Sequence, residues 1–252
     1  MVLRAELIEQ DDPEIGQELI RVTRPDASVE DLRLHEYERL YSLQGVYEQI
    51  VQERLGCASP AKIASLLAKA VDAARWARAD VRVLDVAAGN GVSGEALAAE
   101  GLGGRGLYGT DIVPAARAAA LRDRPTLYRE YLTLDLLSLT AGQTADLRAL
   151  EANALSCVAP VGDGPSQVPP DAFLAAVQTL ADDALVAYMH DPNHGVADVV
   201  TAELWRERLG AEGTELARER YLHRRTVNGD AFDMVGVVWR VRRQGLRPVQ
   251  AQ

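Results

Sequence analysis

The chain has 252 residues, a mass of 27.3 kDa and a formal net charge of −10, with 48% hydrophobic residues. That length and apolar content suit one large α/β domain, and no apolar run approaches the ~20 residues of a membrane span. The acidic balance argues against nucleic acid as a partner, because phosphate backbones call for clustered cations. Acids also stand where a secretory leader would be basic and then apolar (Glu6, Glu9), so a cytoplasmic location is expected. Cys57 and Cys157 lie far apart without a CxxC partner and are read as reduced thiols outside any zinc site. Two lysines, Lys62 and Lys69, stand against 25 arginines, which hints at a GC-rich bacterial source.

Residues 1–30 are polar and acidic without sustained periodicity and are expected to form a loose arm. Over residues 30–55, Leu34, Tyr37, Leu40 and Tyr41, then Tyr47, Ile50 and Val51, recur at helical spacing. Pro60 opens a further helix with Ile63, Leu66, Leu67, Ala70 and Val71 on one face. From residue 81 the pattern alternates strand and helix, as a parallel sheet with crossovers does. Strands are expected at 81–86, 106–110, 127–132, 153–159 and 184–190, and helices at 92–100, 114–122, 171–181 and 196–209. Gly101 and Gly210 sit at helix C-termini. Two strand-like runs, Leu216–Val227 and Ala231–Val241, flank Asn228-Gly229, a strong antiparallel hairpin signal. The arginines from Arg218 and Arg220 to Arg224 and Arg225 read as solvated flanks of a surface strand. Neither an internal repeat nor a low-complexity linker marks a second domain. The expected organisation is one domain over 1–252, with an N-terminal arm and helical lid over 1–55 and a Rossmann-like core over 56–243.

The first strand runs Val81-Arg-Val-Leu-Asp85 and leads into Val-Ala-Ala-Gly89-Asn90-Gly91-Val-Ser-Gly94. Gly89-x-Gly91-x-x-Gly94 matches the dinucleotide fingerprint, with Asp111 placed 22 residues after Gly89. Against that register, the strand ends at Asp85, whose charge would face a pyrophosphate at short range. Read as Asp85-x-Ala87-x-Gly89-x-Gly91, the turn resembles motif I of class I S-adenosylmethionine-dependent methyltransferases. That cofactor carries an ammonium and a sulfonium, which a strand-end carboxylate favours. Ala87 departs from the glycine usual there.

The resemblance extends along residues 40–243. It implies that Asp111 binds the ribose hydroxyls, that Asp135 takes the adenine amino group, and that Asn153 to Ala159 form the fourth strand. Asn153 stands where many members of the family have Asp. The implied fold is a Rossmann-like, seven-stranded, mostly parallel sheet with helices on both faces, an antiparallel C-terminal hairpin and an N-terminal helical lid. Implied cofactor contacts are Tyr47, Asp85, Ala87, Gly89, Asn90, Gly91, Asp111, Ile112, Asp135, Leu136 and Cys157. Tyr47-Glu48 resembles the Tyr-Asp pair that closes over the donor, with Tyr37 and Tyr41 in the same lid, whereas His35 is expected on a surface helix.

The acceptor side is expected beyond strands four and five. The Pro160–Pro170 loop is long enough to shape a pocket, and the Asp/Asn-Pro-Pro-Tyr/Phe signature of nucleic-acid N-methylation is absent. His190 and Asp191, with His194 nearby, end the fifth strand and are candidates for a general base. No third-strand ligand accompanies them, so no metal is expected. The expected activity is methyl transfer to a small molecule, such as a bacterial natural product, on O or N, by a monomer or homodimer. The alternative is a non-methylating reaction such as cyclisation on the same fold, with the cofactor structural.

Overall fold

A computed structural model describes residues 3–11, 13, 17–162, 166–193 and 202–243. The N-terminal segment is not a loose arm. Strands β1 (Arg4–Leu7), β2 (Leu19–Thr23) and β3 (Val29–Arg33) pair as an antiparallel sheet in that order. Period-two alternation explains it: Ile20 and Val22 are buried while Arg21 between them faces solvent. With four or five residues each, these strands are too short to register as periodic. The helical reading that began at residue 30 is corrected too. Helix α1 spans only Tyr37–Ser42, and Glu48–Arg54 is a π-helical turn in which Leu55 N bonds Ile50 O at 2.9 Å. Ile20, Val22 and Leu32 pack on Leu40, Val46, Ile50 and Leu55 in a small core of their own. Helix α2 (Ser59–Ala73) follows, with Pro60 in its first turn.

The alternating region folds as β4 (Arg82–Val86), α3 (Val92–Ala99), β5 (Gly106–Asp111), α4 (Pro114–Asp123) and β6 (Glu130–Thr133). It continues with α5 (Ala141–Ala149), β7 (Ala154–Pro160), α6 (Pro170–Val177), β8 (Asp183–His190) and α7 (Ala202–Leu209). The chain closes with β9 (Ala211–Arg225) and β10 (Ala231–Arg243). The seven strands order as β6-β5-β4-β7-β8-β10-β9, parallel except for β10, which runs antiparallel to both β8 and β9. This is the expected mostly parallel sheet with a terminal hairpin. At the hairpin tip Gly229 adopts a φ of 87° and its N–H bonds Thr226 O at 3.0 Å.

The central strands are apolar on both faces, as a covered parallel sheet requires. Val83, Ala187 and Met189 pack on Ile63, Leu67 and Val71 of α2. On the opposite face Leu84, Val86, Leu155 and Tyr188 meet Leu147, Phe173 and Leu174. Helix α5 was not expected from the sequence; a capping box between Thr140 and Gln143 starts it, and Leu147 alone is buried on it. Strand β6 starts three residues later than expected, leaving Tyr128 in a turn before it. The part of the 196–209 helix before Ala202, and His194, lie outside the described residues. None of the described helices is long and apolar enough to cross a membrane.

The small sheet is fixed to the large one by charge. Arg224 on β9, expected to be solvated, is 4% exposed, and its guanidinium meets Glu18 Oε1 at 2.5 Å. Arg224 also lies over the Phe232 ring at 5.7 Å. Removing one partner of a buried pair strands the other charge. Glu18→Ala is therefore expected to destabilise the chain by about 3–5 kcal/mol in urea denaturation, whereas breaking the exposed Arg21–Asp31 pair should leave the midpoint nearly unchanged.

Candidate functional site

The glycine turn lies where β4 ends. Ala87, Gly89 and Gly91 all adopt left-handed backbone, with φ of 53°, 55° and 96°. Ala87 bears a Cβ that this region penalises by about 1–2 kcal/mol, which explains why the family pattern favours glycine there. Gly91 is the residue before α3. Gly94, inside α3, is needed for close approach: a Cβ there would lie 2.5 Å from the Tyr128 hydroxyl.

That approach lets Tyr128 reach the buried Asp85. Asp85 Oδ2 accepts from Ser93 Oγ at 2.6 Å and from Tyr128 OH at 2.7 Å. Among the described residues its buried Oδ1 has no hydrogen-bond partner, and neither has the buried Oγ of Ser156, the residue opposite Asp85 in the β4–β7 register. Burial pushes the Asp85 carboxyl up to about 7, against the pull of its two hydrogen bonds and with the Asp111 charge adding to the rise. Asp111 ends β5; its Oδ2 accepts from Gly89 N and its Oδ1 from Val113 N, both at 2.9 Å. Burial raises its pKa as well. Tyr131 OH donates to Gly89 O at 2.7 Å and holds the turn from below.

The next strand end passes close by, since Leu134 N bonds Asp111 O at 2.9 Å. This brings Ile112, which is exposed, beside Asp135 and the half-buried Leu136. Asp135 is exposed and its Oδ1 accepts from Leu137 N at 2.9 Å. Asn90 donates to Glu48 Oε1 at 2.9 Å, and Arg124 also binds that oxygen at 3.0 Å. Cys157 is fully buried in the apolar layer behind the strand ends, its thiol directed to Ala159 O at 3.4 Å.

The N-terminal aromatics cover the turn. A Cβ on Gly89 would lie 2.5 Å from the Tyr41 hydroxyl oxygen, so Tyr41 is the ring seated on it. Tyr37 stacks on Tyr41 with centroids 5.5 Å apart, and Tyr47 follows at 5.4 Å. His35 precedes α1 instead of lying within a helix; it is half-buried and stacks on Tyr37 at 5.3 Å. Glu48, the acid beside Tyr47, anchors the cover to Asn90 and Arg124.

At the end of β8, His190 and Asp191 are both buried; His190 Nε2 lies 3.4 Å from an Arg218 guanidinium nitrogen, and Asp191 Oδ1 accepts from Asn193 N at 2.8 Å. Sequence reasoning missed a neighbouring group, Ser59, Tyr221 and His223. Ser59 lies more than 160 residues from both Tyr221 and His223 in the chain, and only a period-two pattern placing Tyr221 and His223 on one face of β9 hinted at it. An open depression of about 550 Å³ lies elsewhere, at the β6 edge, lined by Arg117, Tyr128 and Tyr131 among others.

This strand order, with the glycine turn at the end of its central strand, is the fold of S-adenosylmethionine-dependent methyltransferases. One such enzyme from Anabaena variabilis superposes with a TM-score of 0.52 at 13% identity, over 82% of this chain and 93% of that one. An N-methyltransferase from Bradyrhizobium japonicum gives 0.45 at 16% identity over 72% and 94%. A candidate RNA methyltransferase from Pyrococcus horikoshii gives 0.49 at 12% over 71% and 83%. The sequence matches no protein-family model and no curated protein.

The residues present fit that family's cofactor. A buried carboxylate oxygen without a donor, next to a buried hydroxyl, suits a cationic ligand, and the backbone turn admits close approach. Asp85 ionises near pH 4 in an unfolded chain but only near pH 7 when folded, so the folded state holds the extra proton in that window. The stability this proton confers is complete below about pH 4 and is lost as pH rises to about 7, on the order of 4 kcal/mol. Urea denaturation is expected to show Asp85→Asn gaining stability relative to the native chain between those pH values. A difference independent of pH would contradict the assignment.

Proposed function

We propose that the chain is an S-adenosylmethionine-dependent methyltransferase that methylates a small-molecule acceptor on O or N. The observation that carries the reading is Asp85, whose buried, unpartnered Oδ1 lies at the head of the glycine turn beside Ser156. When bound, the donor supplies an electrophilic methyl group on a sulfonium.

Asp85 and Ser156 would hold its cationic amino-acid portion, with the backbone of Ala87, Gly89, Asn90 and Gly91 and the rings of Tyr41 and Tyr47 as further contacts. Asp111, whose two oxygens each accept from a backbone N–H, would take the ribose hydroxyls on its remaining lone pairs. Ile112, Asp135, Leu136 and Cys157 would serve the adenine. His190 and Asp191 form a polar wall on the acceptor side. Methyl transfer is an in-line displacement in which positioning does most of the work. The aromatic cover of His35, Tyr37 and Tyr47 supplies faces for an organic acceptor and excludes water. The acidic charge of the chain supports a small acceptor over a nucleic acid.

Calorimetry with S-adenosylmethionine at about 100 μM tests the reading. Binding in the micromolar range is expected, and Asp111→Ala should weaken it by about 1.5–3 kcal/mol through lost charged hydrogen bonds. No heat of binding would end the reading, and native affinity in the variant would remove Asp111 from the ribose.

A further inference from the structure

The depression at the β6 edge shares two residues with the glycine turn. Tyr128 and Tyr131 both line it, while their hydroxyls reach Asp85 Oδ2 and Gly89 O, each at 2.7 Å. The two rings meet edge to face with centroids 5.2 Å apart. Two glycines make room for them. A Cβ on Gly94 would lie 2.5 Å from the Tyr128 hydroxyl, and one on Gly109 would lie 2.6 Å from Tyr131 Cδ2. The rings are thus a common wall, with the glycine turn on one side and the depression on the other.

The remaining walls have a distinct chemistry. Strand β6 is the last of its sheet, and its side chains alternate between the two faces. Tyr131 packs with Tyr128 and with Ala120 of α4 on one face, whereas Leu132 joins the cluster of Leu147 on the other. Glu130 alternates with Tyr131 and so shares the far face with Leu132. From α4 come Arg117 and the exposed Leu121, and Arg129 stands just before β6. Arg117 Nε donates to Tyr131 O at 2.9 Å, and an Arg129 nitrogen donates to Arg105 O at 3.3 Å. Neither guanidinium pairs with a carboxylate among the described residues. Their neighbours Arg122 and Arg124 each do.

A volume of about 550 Å³ is that of a small-molecule site. Aromatic rings, an exposed leucine and two arginines without acids suit a carboxylate on a ring-sized apolar body. The Nη atoms of Arg117 remain for its two oxygens, the planar pairing that a guanidinium favours. Because Arg117 already holds the Tyr131 carbonyl, the edge is blunted against an added strand. That favours a small molecule over a peptide.

We propose that this depression is an effector site for a small aromatic carboxylate, linked to the donor site through Tyr128 and Tyr131. The link rests on the methyltransferase reading above; the carboxylate site does not. An occupant packed on both rings holds the groups that fix Asp85 and Gly89. Less freedom is then left for the methyl donor to remove, so each ligand tightens the other.

Phenylacetate is the probe, with phenethyl alcohol as its uncharged match. In NMR of the full chain with labelled tyrosine rings, phenylacetate should shift the Tyr128 and Tyr131 signals, assigned from Tyr128→Phe and Tyr131→Phe, to saturation. The alcohol should bind about 10-fold more weakly, and so should phenylacetate to Arg117→Gln. Calorimetry of S-adenosylmethionine should show about fivefold higher affinity in saturating phenylacetate, an effect lost when Arg117→Gln and Arg129→Gln are combined. Unmoved ring signals, or equal binding of the alcohol, would overturn the carboxylate site. Unchanged or weakened donor affinity would overturn the link. A chain that binds phenylacetate but no methyl donor overturns the link together with the methyltransferase reading, and the carboxylate site stands.

Discussion

A single carboxyl group, Asp85, organises the strand ends of this molecule. It is buried at the end of the central strand with no cation beside it, a costly placement unless donors surround it. Ser93 from the first turn of α3 and Tyr128 from the turn before β6 supply two. Meeting that demand dictates much of the local sequence: Gly94 must lack a side chain for Tyr128 to pass, and Gly91 must take left-handed backbone for α3 to begin beneath Asp85. Tyr131 and Asp111 then pin Gly89 from its carbonyl and its amide. Among the described residues one oxygen, Oδ1, has no hydrogen-bond partner.

The N-terminal residues complete the other wall. They form a sheet and two short helices held to the sheet hairpin by Arg224 and Glu18, and to α4 by Arg122, which bonds the Tyr41 carbonyl at 3.2 Å. Between these two anchors lie His35, Tyr37, Tyr41 and Tyr47. Behind the cover, burial first and the Arg224 charge second push the His223 ring down to about 4.

The parallel core was readable in the sequence because its strands are continuous apolar runs bounded by glycine, proline and acids, and Asp85, Asp111 and Asn228-Gly229 marked its ends. The N-terminal sheet was not readable. Its strands each bury one or two side chains, and the helical spacing read over residues 30–55 is shared by β3, α1 and a π-helical turn. Helix α5 escaped notice because only Leu147 is buried on it, leaving no stripe. Arg224 looked like one more arginine of a solvated run; its burial depends on Glu18, more than 200 residues away. Ser59 and His223 meet only through the docking of α2 on β9, a tertiary fact without a local signal. Tyr47-Glu48 resembles a lid pair in sequence, yet Tyr41 is the ring placed on Gly89.

The central claim is that Asp85 is held protonated in part at neutral pH and ionises when a cationic ligand settles against it. The direct measurement is the heat of S-adenosylmethionine binding at pH 7 in two buffers of different ionisation enthalpy, for the native chain and for Asp85→Asn. With a carboxyl near 7, the native chain should release about half a proton more than the variant on binding. Equal proton release by the two proteins would contradict the account.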